Sequence, residues 1–145
     1  MNSGEIQHTI QTRVRYSECD PQNVAHHSAY IIWLEMARTE LLRKYGVAYR
    51  DLEARGILFV VVRLNIRYRR PAFYDDVLDI HVRELVEARE KSGGIKLEHA
   101  YEIRRGNQVL AQAETTLACV DRNGRLQRVP NGALGTDLVE NVRPA

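Results

Sequence analysis

The sequence predicts an α+β domain in which one long helix is wrapped by an antiparallel β-sheet. Two observations carry this expectation. An early segment is apolar over a wide arc at helical spacing, and most of the chain after residue 57 reads as strands separated by turn signals. One such helix and several hairpin-linked strands are satisfied by laying the helix across one face of a single sheet.

Residues 8–16 open the chain as a strand. Ile10, Thr12, Val14 and Tyr16 share one face and Thr9, Gln11, Arg13 and Arg15 the other, so Tyr16 is expected to point inward. Residues 17–21 are turn formers, and Pro21 disfavours helix at Asp20. From 30 to 45, Tyr30, Ile31, Trp33, Leu34, Ala37, Leu41, Leu42 and Tyr45 recur at three- and four-residue intervals. Ser28 is the expected N-cap and Gly46 the expected stop. Trp33 is assigned to the core and Glu35 to a buried or half-buried position.

A shorter helix is expected over 48–55, ended by Gly56. Residues 58–70 are a β-branched run closed by Pro71, expected to be buried on both faces in its first half, with Phe59 in the core. Residues 77–89 alternate as a strand that reaches a hairpin at Ser92-Gly93-Gly94. Ile95, Leu97, His99, Tyr101 and Ile103 form one face of the next strand, turned at Gly106-Asn107. Residues 109–121 are the last long strand, followed by a tight turn at Arg122-Asn123-Gly124-Arg125. The domain is therefore expected over 1–130, with 131–145 as a weakly structured C-terminal tail.

The chain has 145 residues, 44% hydrophobic and 28% charged, which fits one ordinary globular domain. No apolar run approaches the roughly 20 residues that span a bilayer, and Met1-Asn2-Ser3-Gly4-Glu5 lacks the features of a secretory signal. Cys19 and Cys119 match no disulfide or zinc spacing, so reduced thiols and a cytoplasmic location are expected. A net charge of +2 without a continuous basic run argues against nucleic acid as a partner. Arginine greatly outnumbers lysine, and guanidinium groups suit phosphate and carboxylate recognition.

The densest chemistry lies in Cys19-Asp20-Pro21-Gln22-Asn23-Val24-Ala25-His26-His27-Ser28-Ala29-Tyr30, immediately ahead of the long helix. A helix N-terminus offers unpaired N–H groups and the positive end of its dipole, an environment for a developing oxyanion. Asp20 can serve there as a turn cap or as a reacting carboxylate. His26 and His27 beside an aspartate invite a metal reading, but the spacing matches no zinc signature. The other histidines, His8, His81 and His99, fall on separate strands, so no metal is expected.

Arg13-Val14-Arg15-Tyr16, Asp20-Pro21, Val24, His27, Tyr30, Trp33-Leu34-Glu35 and Ala37-Arg38-Thr39-Glu40-Leu41-Leu42 resemble the 4-hydroxybenzoyl-CoA thioesterase-like and YbgC-like acyl-CoA thioesterases. The similarity continues through Phe59-Val60-Val61, Ile66-Arg67-Tyr68, Pro71-Ala72, Asp76, Tyr101-Glu102-Ile103 and Thr116-Leu117-Ala118-Cys119-Val120-Asp121. It implies the hotdog fold and hydrolysis of an acyl-CoA thioester. Asp20 would be nucleophile or general base, with His27 and Tyr16 at the same site. Backbone amides of His27, Ser28, Ala29 and Tyr30 would polarise the carbonyl. The chain departs from the family pattern at Asn23, where glycine is usual, at His26, where Tyr or Phe is common, and at Ala29, where asparagine is frequent.

The resemblance implies no cofactor, coenzyme A being part of the substrate. With no Gly-rich phosphate loop, Arg69, Arg70, Arg89 and Lys91 are the candidates to hold the pyrophosphate. One helix leaves much of a large sheet uncovered, which points to a homodimer or homotetramer. The alternatives are a thioesterase acting on acyl carrier protein, a hydratase of the same fold, and a non-catalytic acyl-CoA-binding sensor.

Overall fold

The computed structural model describes residues 5–130 and 132–134. In chain order the elements are β1 (Gln7–Arg13), α1 (His27–Lys44), α2 (Tyr49–Ala54), β2 (Leu58–Tyr68), β3 (Val77–Glu84), α3 (Val86–Lys91), β4 (Lys96–Arg105) and β5 (Gln108–Val120). The strands form one sheet in the order β1-β3-β4-β5-β2, antiparallel throughout. α1 packs on one face of it, and the arrangement is the expected hotdog form of an α+β fold.

The alternating patterns of β3 and β4 send Leu78, Ile80 and Val82, and Tyr101 and Ile103, to the helix side. There they meet Trp33, Leu34, Ala37 and Leu41 of α1. Leu34, Leu78 and Ile80 are at most 1% exposed, and burying each such side chain contributes about 1.5–3 kcal/mol. A second cluster gathers Leu52, Ile57, Leu97, Leu117 and Cys119. Ala133 and Leu134, from the stretch assigned to the tail, are buried in that cluster; residue 131 and residues 135–145 lie outside the described residues. Among the described residues no helix is long and apolar enough to cross a membrane. Cys19 and Cys119 are both free.

Four expectations are corrected. First, β2 is an edge strand, and Val60, Val61 and Val62 are 44%, 50% and 57% exposed. A continuous β-branched run reads as a central strand, but apolarity here covers an unpaired edge. Second, β3 stops at Glu84, and α3 intervenes before the glycines. Glu87, Ala88, Arg89, Glu90 and Lys91 favour helix, and Gly93 and Gly94, both at positive φ, reverse the chain into β4. Third, α1 begins at His27 with His26, not Ser28, as its N-cap. Fourth, Glu35 is exposed rather than buried or half-buried.

α2 and Gly46 follow expectation, Gly46 taking φ 82° as the helix stop.

Candidate active site

The chain leaves β1 at Arg13, makes a single 3₁₀ turn over Tyr16–Glu18, and reaches α1 through the Asp20 loop. Glu18 anchors this passage. Its buried carboxylate accepts hydrogen bonds from the Trp33 indole N–H at 2.9 Å and the Arg15 amide at 2.8 Å, and its carbonyl accepts from the His26 amide at 2.8 Å. The loop is also stitched to the segment after β2. Ala25 N–H donates to Ala72 O at 2.8 Å, and Tyr74 N–H donates to Asn23 O at 3.1 Å.

Inside the loop, Asp20 binds its own turn. Oδ1 accepts from the amides of Gln22 at 2.8 Å and Val24 at 3.2 Å, while Oδ2 has no partner among the described residues. The fixed oxygen holds the carboxylate in one orientation. Asn23 completes the turn at φ 65°, a left-handed conformation that asparagine and glycine adopt most readily. The unusual asparagine is thereby accounted for.

At the start of α1 the expected amides are not equivalent. Ser28 N–H donates to Nδ1 of His26 at 3.2 Å, and Ala29 N–H donates to the His26 carbonyl at 2.9 Å. The His27 amide has no partner among the described residues. The His27 imidazole is exposed and lies against that of His26, with ring centroids 4.1 Å apart. Tyr30 is buried, and its hydroxyl accepts from Ala72 N–H at 3.2 Å. Burial pushes the Tyr30 phenol up against the opposing effect of that bond, so it stays neutral near pH 7.

Tyr16 does not occupy the inward face of β1. The strand has ended, and Tyr16 stands 74% exposed with its ring edge-on to Tyr74 at 5.7 Å. Cys19, next to Asp20, is raised by desolvation and then by the carboxylates of Asp20, Glu18 and Asp76, so it remains a thiol rather than a nucleophilic thiolate.

The arginine candidates divide between opposite ends of the sheet. β1 pairs Arg13 with Val77 of β3, and β2 pairs Tyr68 with Ala111 of β5. Arg69 and Arg70 therefore emerge at the end that carries the Asp20 loop, both exposed, with Arg69 Nε donating to Gln112 at 2.8 Å. Arg89 and Lys91 lie on α3, beyond the far ends of β3 and β4. Arg89 is held in an ion pair with Glu84 at 2.9 Å, with the two side chains 12% and 4% exposed.

Sequence reasoning missed Glu18, Tyr68 and Arg105. Tyr68 donates to the His27 carbonyl at 3.3 Å and meets Tyr30 edge-on at 4.9 Å. Arg105 donates to Asp76 at 2.7 Å and to the Pro71 carbonyl at 3.1 Å, which fixes the segment against which the Asp20 loop is stitched. These are long-range partners with no local signal; Tyr68 and Asp76 lay within the resembling motifs without an assigned role. Among the described residues no three His, Cys, Asp or Glu side chains converge as a ligand set.

On this hotdog scaffold a carboxylate held through one oxygen precedes a helix terminus with an open amide. Residues 14–140 match the thioesterase-like superfamily, and the chain belongs to it. It is 32% identical over 133 residues to the long-chain acyl-CoA thioesterase FadM of Escherichia coli K12, covering 92% of this chain and 98% of that protein. It is 34% identical over 110 residues to the acyl-CoA thioester hydrolase YbgC of E. coli O6:H1, covering 75% and 78%. The solved DHNA-CoA thioesterase of Staphylococcus aureus superposes with a TM-score of 0.81 at 25% identity, covering 94% and 92%.

Proposed function

We propose that the protein is a cytoplasmic acyl-CoA thioesterase in which Asp20 is the reacting carboxylate. The observation that carries this reading is the asymmetric hold on Asp20, with Oδ1 bound by two amides and Oδ2 without a partner among the described residues, in the loop that leads into α1. The His27 amide, rather than those of Ser28 and Ala29, is the donor to the thioester oxygen, since its N–H is not already engaged. Oδ2 then either attacks the carbonyl carbon, giving a mixed anhydride that water hydrolyses, or takes a proton from the attacking water. In both routes the C–S bond breaks and coenzyme A leaves as its thiol.

His27 and Tyr16 are the orienting groups in this reading, and both are exposed. Arg69 and Arg70, at the Asp20 end of the sheet, are the residues suited to the pyrophosphate; Arg89 and Lys91 lie at the other end of the same protomer. The names of FadM and YbgC support coenzyme A as the carrier. A homodimer is supported by the β2 edge, where Val60, Val61 and Val62 present an exposed apolar strand that a second copy would cover.

The test is a panel of acyl-CoA thioesters, with matched carrier-protein thioesters, followed by release of free thiol. Faster turnover of the CoA member of each pair is expected. Tight binding of acyl-CoA with no thiol released from any member would overturn the reading.

A further inference from the structure

Residues 69–76 join β2 to β3 without a helix or strand of their own, yet their backbone bonds the chain on both sides of Asp20. Ahead of it, Val14 N–H donates to Asp76 O at 2.8 Å and Asp75 N–H donates to Val14 O at 3.0 Å. Beyond it, Ala25 N–H donates to Ala72 O at 2.8 Å and Tyr74 N–H donates to Asn23 O at 3.1 Å, with Val24 and Phe73 bridged between them. Val24 is also a holder of Asp20. Its amide donates to Asp20 Oδ1 at 3.2 Å, and its carbonyl accepts from Asp20 N–H at 2.9 Å. The orientation of the carboxylate is therefore tied to the position of residues 72–74.

That position depends on one side chain. Arg105, the last residue of β4, donates through Nη1 to Asp76 Oδ2 at 2.7 Å and to Pro71 O at 3.1 Å, spanning the stretch from end to end. Asp76 Oδ2 also accepts from Phe73 N–H at 2.8 Å, which folds the stretch back on itself. The guanidinium carbon lies 5.6 Å from the centroid of the Phe73 ring. The Arg105 and Asp76 side chains are 28% and 22% exposed, so the pair is partly shielded from water and its charge-assisted bonds are strong ones. A segment without a ladder of its own takes its shape from such contacts.

A phosphate-binding role suits Arg105 less well than Arg69 and Arg70. Its charge is matched by Asp76, and its other terminal nitrogen donates to Gln108 Oε1 at 3.0 Å, so both are engaged within the protein.

Resting on the thioesterase reading above, we infer that Arg105 is a positioning residue for Asp20. With Asp76 it clamps residues 71–76, and through the bonds of that stretch to Asn23, Val24 and Ala25 it holds the carboxylate in its reacting orientation. Its effect falls on the chemical step and not on coenzyme binding.

The experiment is a double-mutant cycle. Thiol release from an acyl-CoA and denaturation curves are measured for the parent, Arg105→Met, Arg105→Lys and Asp76→Asn, each alone and combined with Asp20→Asn. Arg105→Met should lower kcat by about tenfold or more with KM within about twofold of the parent. Arg105→Lys, which keeps the charge without the planar guanidinium, should recover part of the loss. In the Asp20→Asn background, Arg105→Met should change the residual turnover by less than about twofold, because nothing remains for it to orient. The shift in denaturation midpoint should be the same in both backgrounds, which separates positioning from a general loss of structure. If Arg105→Met does not fold, Arg105→Lys and Asp76→Asn complete the same cycle, with smaller losses of kcat that again vanish in the Asp20→Asn background. A loss by the same factor in both backgrounds, an unchanged kcat, or a raised KM at unchanged kcat overturns the inference, the last by making Arg105 a coenzyme contact. No thiol release by the parent, or turnover by Asp20→Asn equal to the parent's, overturns the thioesterase reading and this inference with it.

Discussion

The Trp33 indole N–H donates to Glu18 Oε2 at 2.9 Å, tying the segment that leads into the Asp20 loop to the helix that follows it. The bond is buried, so its loss is not made good by water. Trp33→Phe keeps most of the apolar volume and removes the donor. It should lower stability by about 1–3 kcal/mol, the cost of leaving a buried acceptor short of a partner. Chemical denaturation reads that loss, and kcat should fall with it because the loop loses its tether.

Asn23 makes a second prediction. At φ 65° a β-branched residue is strained, whereas glycine is not. Asn23→Gly should keep activity and stability near the parent. Asn23→Val should lose about 1–2 kcal/mol and a larger share of kcat, because the turn it distorts presents the Gln22 and Val24 amides to Asp20. Equal behaviour of the two variants in melting and turnover would contradict this.

The arginines separate by role. Arg69→Ala and Arg70→Ala should raise KM for acyl-CoA with stability unchanged, and the effect should shrink as salt is added. Arg89→Met should do the reverse. It removes the guanidinium paired with buried Glu84 and should lower stability by on the order of 3 kcal/mol, with little change in KM. Steady-state kinetics at two ionic strengths, beside denaturation curves, distinguish the two patterns.

Acid sensitivity follows from His99. Its native value is lowered to about 3, first by burial and then by Arg38 and Arg89, whereas the unfolded side chain titrates near its ordinary 6.5. Between these values the unfolded chain binds a proton that the native state does not. Stability contributed by the neutral ring is present above 6.5 and is lost as pH falls toward 3, by up to about 1.4 kcal/mol per pH unit. Denaturation midpoints of the parent should therefore drop more steeply between about pH 6 and pH 4 than those of His99→Leu. Parallel slopes would contradict the assignment.

What was legible in the sequence were features set by local pattern. Leu78, Ile80 and Val82 alternate and are buried as expected, and α1 buries the arc marked by Trp33, Leu34, Ala37 and Leu41. The Asp20 loop was legible as a turn because proline, asparagine and aspartate act on their own backbone. Features set by distant partners were not legible. Nothing local distinguishes Val60, Val61 and Val62 on an edge from the same residues in a central strand. Tyr16 continued the β1 alternation in sequence, but the 3₁₀ turn held by Glu18 breaks the strand before it. Arg89 resembled a phosphate ligand until α3 brought it to Glu84.

The central claim rests on the Asp20 carboxylate, and Asp20→Asn tests it most directly. The amide oxygen can still accept from Gln22 and Val24, so the loop is retained while the charge and basicity are removed. With secondary structure and oligomeric state unchanged, thiol release from the best acyl-CoA substrate should fall by about a hundredfold or more. Turnover equal to the parent on every acyl-CoA that the parent cleaves would contradict the account.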